Sequence, residues 1–259
     1  MPARSATRTT SPASSAATRR GAALGYTEPV MNAESEYIEA LEDQFGKFVL
    51  VALWENSGPL FLVNLTAVVA TAALVGASLL LGLRPALVVG AFTAYPCMVG
   101  LMAASGARLR RDPASTWQRA WDGIRGNWFA AGVVGLALNG AAYTYMAVTA
   151  ARAEHAGDPA WTLLWAALGA VLLVFALCAV YSFPLMALYP KSLRSIVRNS
   201  LLLAVAAPLP TFAMLGLTAM LVMPVLWIGW GIFLFTPIVV ALFWAANCDL
   251  QVARRQVKP

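Results

Sequence analysis

Side chains capable of acid–base, nucleophilic or metal chemistry are few in this chain of 259 residues. The single histidine, His155, lies between Glu154 and Asp158 in a short polar segment, which is typical of a solvated loop and only rarely of a general base. The three cysteines are far apart, in or beside apolar runs, at Cys97, Cys178 and Cys248. Because no such residues cluster at ligand spacing, the sequence predicts no enzyme activity, no metal site and no cofactor.

Uncharged polar residues and prolines within the apolar runs are the remaining candidates for a binding site. Asn and Tyr side chains can hydrogen-bond to a solute, and a proline removes a backbone donor and so frees a carbonyl. The same residues serve in helix–helix packing within lipid, so both interpretations remain open. The candidate pocket for a solute or a partner helix consists of Asn64, Pro96, Asn127, Tyr181, Pro184 and Asn199.

A second candidate surface lies in segment 108–128, the longest polar stretch between two apolar runs. Asp112 and Pro113 suit a helix start, and an apolar face follows at helical spacing, with the arginines off that face. Such a helix would lie on the membrane surface or against a neighbouring protein. The apolar face consists of Trp117, Trp121, Ile124 and Trp128, and the predicted interfacial contact consists of Trp117, Trp121, Arg119 and Arg125.

The elements that must position these residues are transmembrane helices. Hydrophobic residues make up 60% of the chain and charged residues 12%, with a mean hydropathy of +0.69, whereas soluble domains are about a quarter charged. We expect an all-α bundle of six membrane-spanning helices within residues 57–248, because each apolar run reaches the roughly 20 residues that cross the hydrocarbon. The six runs are Leu60–Leu81, Pro85–Gly106, Asn127–Ala150, Trp161–Tyr189, Ser200–Val222 and Val225–Asn247.

The basic residues predict the orientation of this bundle. Arginine and lysine concentrate in segment 108–125, in segment 191–198 and in the tail 249–259, and short basic loops stay in the cytoplasm. Both termini are therefore predicted to be cytoplasmic. The net charge of +6 comes from these basic segments, which are expected to contact anionic lipid headgroups. We therefore expect no nucleic acid partner.

The region before the first run differs in composition from the rest. Residues 1–33 are rich in Ala, Ser, Thr and Arg and are expected to be a disordered leader, and Met31 is an alternative start. Residues 34–56 are predicted to form an amphipathic N-terminal helix that carries Glu36, Glu39, Glu42 and Asp43 on its polar side. Its apolar side consists of Tyr37, Leu41, Phe45, Phe48 and Ala52.

The chain also contains two similar hairpins. Tyr95-Pro96-Cys97-Met98 and Phe183-Pro184-Leu185-Met186 share an order of aromatic, Pro, any residue, Met, and each is followed by a basic segment. The next outward run then opens with Arg and Asn, which are Arg125 and Asn127 in one case and Arg198 and Asn199 in the other. The pattern is typical of a parallel repeat and equally of chance in apolar sequence. If it is a repeat, we expect Asn127 and Asn199 to bond the carbonyls that the prolines free, around one pocket.

Several of these segments resemble the YesL-type family, small bacterial membrane proteins without an assigned biochemical activity. The resemblance covers about residues 46–246, and the leader and the acidic N-terminal helix depart from it. It is carried by Asn64-Leu65, by Pro96 with Arg108 to Arg111, by Trp117 to Phe129, by Tyr181-Ser182-Phe183-Pro184, by Arg198-Asn199-Ser200-Leu201 and by Ala207-Pro208. What it implies is a bacterial inner-membrane protein associated with carbohydrate uptake by ABC importers.

Two functions therefore stay open. In the first, the chain is an accessory or scaffold subunit that packs against an ABC sugar importer, with the lipid bilayer and a second copy of itself as further expected partners. In the second, it is itself a permease for a small solute and uses uncharged polar groups in Pro-broken helices. It lacks the Glu-Ala-Ala coupling loop of an ABC permease and the Gly-rich phosphate loop of an ATPase, which favours the first.

Overall fold

The computed structural model describes residues 28–155, 157–189, 192–228 and 234–256, which form an all-α bundle without strands in these ranges. Five of the helices are long and apolar enough to cross a membrane, and the number rises to six if a bent pair of helices is counted as one span. The protein is thus a multi-pass membrane protein, as predicted. The helices are α1 (Glu28–Leu79), α2 (Leu83–Leu109), α3 (Thr116–Glu154), α4 (Pro159–Leu188), α5 (Leu193–Ala206), α6 (Pro208–Ile228) and α7 (Thr236–Gln256).

The predicted N-terminal helix and the first span form one continuous helix, α1, and not two elements. The helix begins at Glu28, and its only non-helical backbone is a kink at Gln44 (φ −140°, ψ 46°). It passes through Pro59 without a break, because unpaired backbone groups are costly in lipid and a helix therefore continues where it can. Most of the predicted disordered leader, residues 1–27, lies outside the described residues.

The predicted interfacial helix is likewise the first part of a longer helix. Ser115 caps α3 by accepting a hydrogen bond from the Gln118 amide, three residues after the predicted start at Asp112. Asp112 instead accepts from the Ala114 amide in the preceding turn. The helix then runs without interruption into the third span, so the tryptophans belong to the outer face of a single 39-residue helix.

The prediction that Ser200–Val222 forms a single helix is wrong. The chain turns by 100° between α5 and α6 at Ala207, because Pro208 and Pro210 cannot donate to the carbonyls one turn before them. The α6 helix then runs antiparallel to α7, as shown by bonds from Trp244 to Thr218 and from the Thr236 hydroxyl to the Leu221 carbonyl. The carboxyl end of α5 lies beside Glu42 of α1 and Arg254 of α7, and α6 leads away from these residues.

The closest helix contact joins α2 to α3. The α-carbon of Gly100 lies so near the other helix that an added Cβ would be 2.7 Å from the Ala120 carbonyl oxygen, and Gly123 faces Ala103 in the same way. Further along, Gly132 and Gly135 accommodate the rings of Phe92 and Tyr95 of α2. Small residues at such positions let two helix backbones approach, which is how helices associate in lipid.

The first helix and the last helix of the described chain meet at one end of the bundle. Arg254 of α7 pairs with Glu42 of α1 at 2.9 Å, and the 108–119 arginines lie at the same end. We call this the basic end. The positive-inside rule predicts that the basic end is cytoplasmic.

Cysteine labelling tests this orientation. In a variant without Cys97, Cys178 and Cys248, we expect a cysteine at Gly157 to react with an impermeant maleimide in intact cells, and one at Ser115 to react only after the cells are opened. Both positions are exposed in the fold, so accessibility alone does not distinguish them. The reverse labelling pattern would contradict the predicted topology.

Candidate functional site

An aspartate at the basic end accepts hydrogen bonds from three other helices or their ends. The side chain of Asp249 is 1% exposed and pairs with the guanidinium of Arg110, with Nε to Oδ2 at 3.0 Å and a terminal nitrogen to Oδ1 at 2.6 Å. The hydroxyl of Tyr37 donates to Oδ2 at 3.0 Å, and that of Tyr189 donates to Oδ1 at 2.9 Å. Two oxygens thus accept four bonds, and we call these four residues the Asp249 cluster.

Each member of the Asp249 cluster stands where its helix enters or leaves the bundle. Tyr37 precedes the kink of α1, Arg110 is the first residue after α2, and Tyr189 is the first after α4. Asp249 is in the last two turns of α7. The guanidinium of Arg110 also lies 5.5 Å from the centre of the Tyr189 ring, which adds a cation–π contact. The cluster therefore ties the amino-terminal part of the chain to three helix ends.

The electrostatics of the cluster favour one protonation state. Burial raises the pKa of both Tyr37 and Tyr189, and the neighbouring carboxylate of Asp249 raises them further. For Arg110, burial alone would lower the pKa, but the charge of Asp249 and its hydrogen bonds hold it above the usual range. Protonated tyrosines and a paired arginine are the stable arrangement, which suits a structural cluster and not a proton relay.

The raised tyrosine pKa values predict a loss of stability in alkali. Below the unfolded pKa of about 10 the contribution is fully present, and it is lost as the pH rises above that value because the folded state holds its protons longer. We expect the free energy of unfolding to fall by up to about 1.4 kcal/mol per pH unit and tyrosine above pH 10. Tyr37→Phe combined with Tyr189→Phe should flatten this fall, as measured by unfolding in mixed micelles. An unchanged slope would contradict the prediction.

A cavity of about 450 Å³ opens beside the cluster, between the ends of α2 and α4 and the start of α3. Its polar wall contains Arg110, the ion pair of Arg119 with Asp112, and Asp122. Asn127 and the α4 residues Met186 to Leu188 complete it. Two of the predicted residues, Arg119 and Asn127, therefore lie in one polar concavity at the basic end.

The structure brings the two aromatic-Pro motifs together. Tyr95 and Phe183, which directly precede Pro96 and Pro184, stack with ring centres 5.4 Å apart and planes inclined by 18°. Both prolines are buried. The carbonyl that Pro96 frees, that of Phe92, accepts from the indole of Trp128 at 2.8 Å and not from Asn127, whose amide donates to Gly123 of its own helix. Asn199 is half-buried on α5.

The other predicted pocket residues take part in helix packing. The amide of Asn64 donates to the Leu234 carbonyl, which joins α1 to the turn before α7. The hydroxyl of Tyr181 accepts from Thr211 at 3.2 Å and from the amide of Asn247 at 3.4 Å, joining α4, α6 and α7. Tyr181 is fully buried. The six candidates thus do not line one pocket. The two aromatic-Pro motifs pack against each other, and Asn127 is the only candidate that lines the 450 Å³ cavity.

The predicted interfacial contact faces outward. Trp117 and Trp121 are 54% and 55% exposed, while Thr116, Ala120 and Gly123 of the same turns are buried against α2. Arg119 and Arg125 are exposed as well. The first three turns of α3 therefore present two indoles and two guanidinium groups outward, and of these four groups only that of Arg119 lines the 450 Å³ cavity.

Sequence reasoning missed the Asp249 cluster. Asp249 was assigned to the cytoplasmic tail, and Tyr37 was assigned to an apolar helix face. The signal that could have found it was the position of Asp249 directly after an apolar run, because an acid near the end of a span usually needs a basic partner.

Comparison with protein-family models, with curated proteins and with solved structures gave no match for this chain.

Proposed function

We propose that this membrane protein is an accessory subunit that docks another membrane protein at its basic end. The observation that carries the proposal is that the polar groups inside the spans and the polar groups at the basic end have different surroundings. Inside the spans, Asn64, Tyr181 and Asn247 are buried and bonded between helices, so they serve packing. At the basic end, charged groups line an open cavity, and two exposed tryptophans lie on another face of the first turns of α3.

The chemistry of that surface fits a protein partner. Tryptophan and arginine are enriched among the residues that contribute most of the binding energy at protein interfaces. There, aromatic side chains fill pockets of the partner and guanidinium groups pair with its carboxylates. The α3 start holds its indoles rigidly, because Ala120 and Gly123 pack against α2 behind them. A partner would thus meet a preformed surface.

The resemblance to the YesL-type family supports one partner class, the permease subunits of ABC carbohydrate importers. Under this proposal the protein lies in the bacterial inner membrane with its basic end in the cytoplasm, and it transports no sugar by itself. A second copy of the chain is the competing occupant of the same surface.

One observation favours the alternative, a permease for a small solute. The 100° break between α5 and α6 lies beside a second cavity, and broken helices can form transport sites. In this case the purified protein should carry out flux alone.

Site-specific cross-linking tests the accessory proposal. A photoreactive phenylalanine at Trp117 or Trp121 should cross-link to an importer permease subunit in cells grown on the imported carbohydrate. The matched control is Met146, which is 69% exposed at the other end of the same helix and should give no such product. Cross-links only between copies of this chain, or equal cross-linking from Met146, would contradict the proposal.

Reconstitution tests the alternative. Proteoliposomes that contain only this protein should show no carbohydrate uptake above empty vesicles. Saturable uptake that is lost in a variant with Pro208 and Pro210 changed to Ala would instead establish the permease.

A further inference from the structure

Helix α5 lies nearly at right angles to the helix that follows it. The chain turns by 100° between α5 and α6, and α6 then runs antiparallel to the membrane-spanning helix α7. The 21 residues of α6 reach about 31 Å, which is enough for the roughly 30 Å of hydrocarbon, whereas the 14 residues of α5 reach only about 21 Å. The crossing therefore needs α6 alone, and α5 lies across the direction of the spans.

The neighbours of both ends of α5 belong to the basic end. Leu193, its first residue, follows Tyr189 of the Asp249 cluster by four positions, which an extended chain covers with at most about 14 Å. Ala206, its last residue, lines the second cavity together with Glu42 and Arg254. A helix of this length directed into the bundle would end about 21 Å away from the basic end. Because Ala206 lies beside Glu42 instead, α5 runs along that end.

One side of α5 is buried against the bundle, and a different side carries an exposed apolar row. The buried side consists of Ile196, Ser200, Leu203 and Ala204. The hydroxyl groups of Ser200 and of Ser182 in α4 are hydrogen-bonded at 2.9 Å, which holds the middle of α5 in place. Val197, Leu201 and Val205 are 47%, 46% and 72% exposed, and their spacing of four residues places them on one side of the helix. We call these three residues the α5 apolar row.

The α5 apolar row continues beyond the bend onto α6. Leu209 follows Val205 by four positions and is 80% exposed, and Phe212 and Met220 of α6 are 52% and 73% exposed. Because α6 belongs to the membrane-spanning part of the protein, its exposed apolar side chains contact the acyl chains of lipids. The row thus extends the lipid-facing surface of the bundle to the basic end.

The other side chains of α5 fit a membrane surface better than a protein interface. Residues 193–206 contain no aromatic and no acidic residue, whereas aromatic residues are enriched at protein interfaces. Arg194 and Arg198 are exposed in the first two turns, where their long side chains can reach lipid headgroups while their alkyl parts cover apolar surface. Arginine together with exposed aliphatic residues is typical of helices that lie in the plane of the membrane surface.

We propose that α5 is an interfacial helix that lies in the bilayer surface at the basic end, with the α5 apolar row among the outer parts of the acyl chains and with Arg194 and Arg198 at the lipid phosphates. The occupant of this side of α5 is lipid, and not a second copy of the chain or a partner protein. The proposal is independent of the docking surface on α3. It also gives the 100° turn a role, because the turn directs the chain from the membrane surface into the span α6.

Spin-label depth measurements on the full-length protein test this position. Nitroxide labels are placed singly at Val197, Leu201 and Val205 after the three native cysteines are replaced. In nanodiscs of phosphatidylethanolamine and phosphatidylglycerol, their collisions with oxygen and with a water-soluble nickel chelate are compared. All three labels should lie about 5–10 Å below the phosphates, at depths equal within about 3 Å. A label at Gln118, exposed on α3 at the same end, is the aqueous control, and one at Met220, about 18 Å along α6, is the deep control.

Three other results would each overturn the proposal. Nickel contact as frequent as at Gln118 would place the α5 apolar row in water, and loss of contact with both reagents would mean that another protein chain covers it. A depth that increases by about 6 Å from each label to the next would mean that α5 enters the bilayer as part of a span. Thermal transitions identify any labelled protein that fails to fold, and since the three side chains are exposed, any two that fold decide the outcome.

Discussion

Asp249→Asn should lower the free energy of unfolding by about 2–3 kcal/mol, the largest effect that we expect from any single side chain at the basic end. The variant keeps the size of the side chain but leaves the guanidinium of Arg110 without its counter-charge and turns an acceptor into a donor that faces other donors. The value is placed below the range for fully buried pairs because 39% of the Arg110 side chain is exposed. Unfolding in mixed micelles of detergent and lipid would measure it.

The matched control is Glu42→Gln, which removes another ion pair of α7 at the same end of the bundle, the one that joins it to α1. Its partners are 45% and 48% exposed, so solvent screens the attraction and we expect a loss below about 0.5 kcal/mol. Equal effects of the two variants would show that the Asp249 cluster does not behave as a buried network.

Gly100→Ala should destabilise the protein by about 2 kcal/mol although it adds only one methyl group. The added Cβ would lie 2.5 Å from the Ile124 side chain and 2.7 Å from the Ala120 carbonyl oxygen. The isoleucine can change its rotamer, but the backbone oxygen cannot move away unless α3 moves, so the two helices must separate. Unfolding free energies and hydrogen exchange across residues 116–126 would detect the separation.

Gly140→Ala is the corresponding control on α3. No atom lies within 4 Å of a Cβ at this position, and alanine favours a helix more than glycine does. We expect unchanged or slightly higher stability. A loss at Gly140 similar to that at Gly100 would mean that helix flexibility, and not close approach, explains the glycines.

The two predictions concern the support of the proposed docking surface. Ala120 and Gly123 lie behind Trp117 and Trp121, and the Asp249 cluster holds the Arg110 end of α2 that forms one side of the cavity. If partner binding depends on this rigid frame, Gly100→Ala should weaken cross-linking from Trp117, and Glu42→Gln should not.

The sequence by itself determined the class of this protein. Apolar runs of about 20 residues have few alternatives to spanning helices, because the cost of unpaired backbone groups in lipid depends on composition and length alone. The outward position of Trp117 and Trp121 on α3 was also predictable, because helical spacing places them on one face.

Only the tertiary structure decided where helices continue and where they bend. Pro59 and Pro96 lie within continuous helices, whereas Pro208 and Pro210 mark a 100° turn. A proline removes one donor in every case, and the outcome depends on whether a neighbour supplies another, as Trp128 does for Phe92. Such neighbours come from distant parts of the chain.

The Asp249 cluster shows the same dependence. Tyr37 and Asp249 are 212 positions apart and Arg110 and Asp249 are 139 apart, so no local pattern links them. Whether a carboxylate after an apolar run meets solvent or a buried arginine is decided by the packing of three helix ends against α1. Burial, hydrogen bonding and charge pairing at the basic end are properties of that packing, whereas membrane insertion is already determined by the apolar runs.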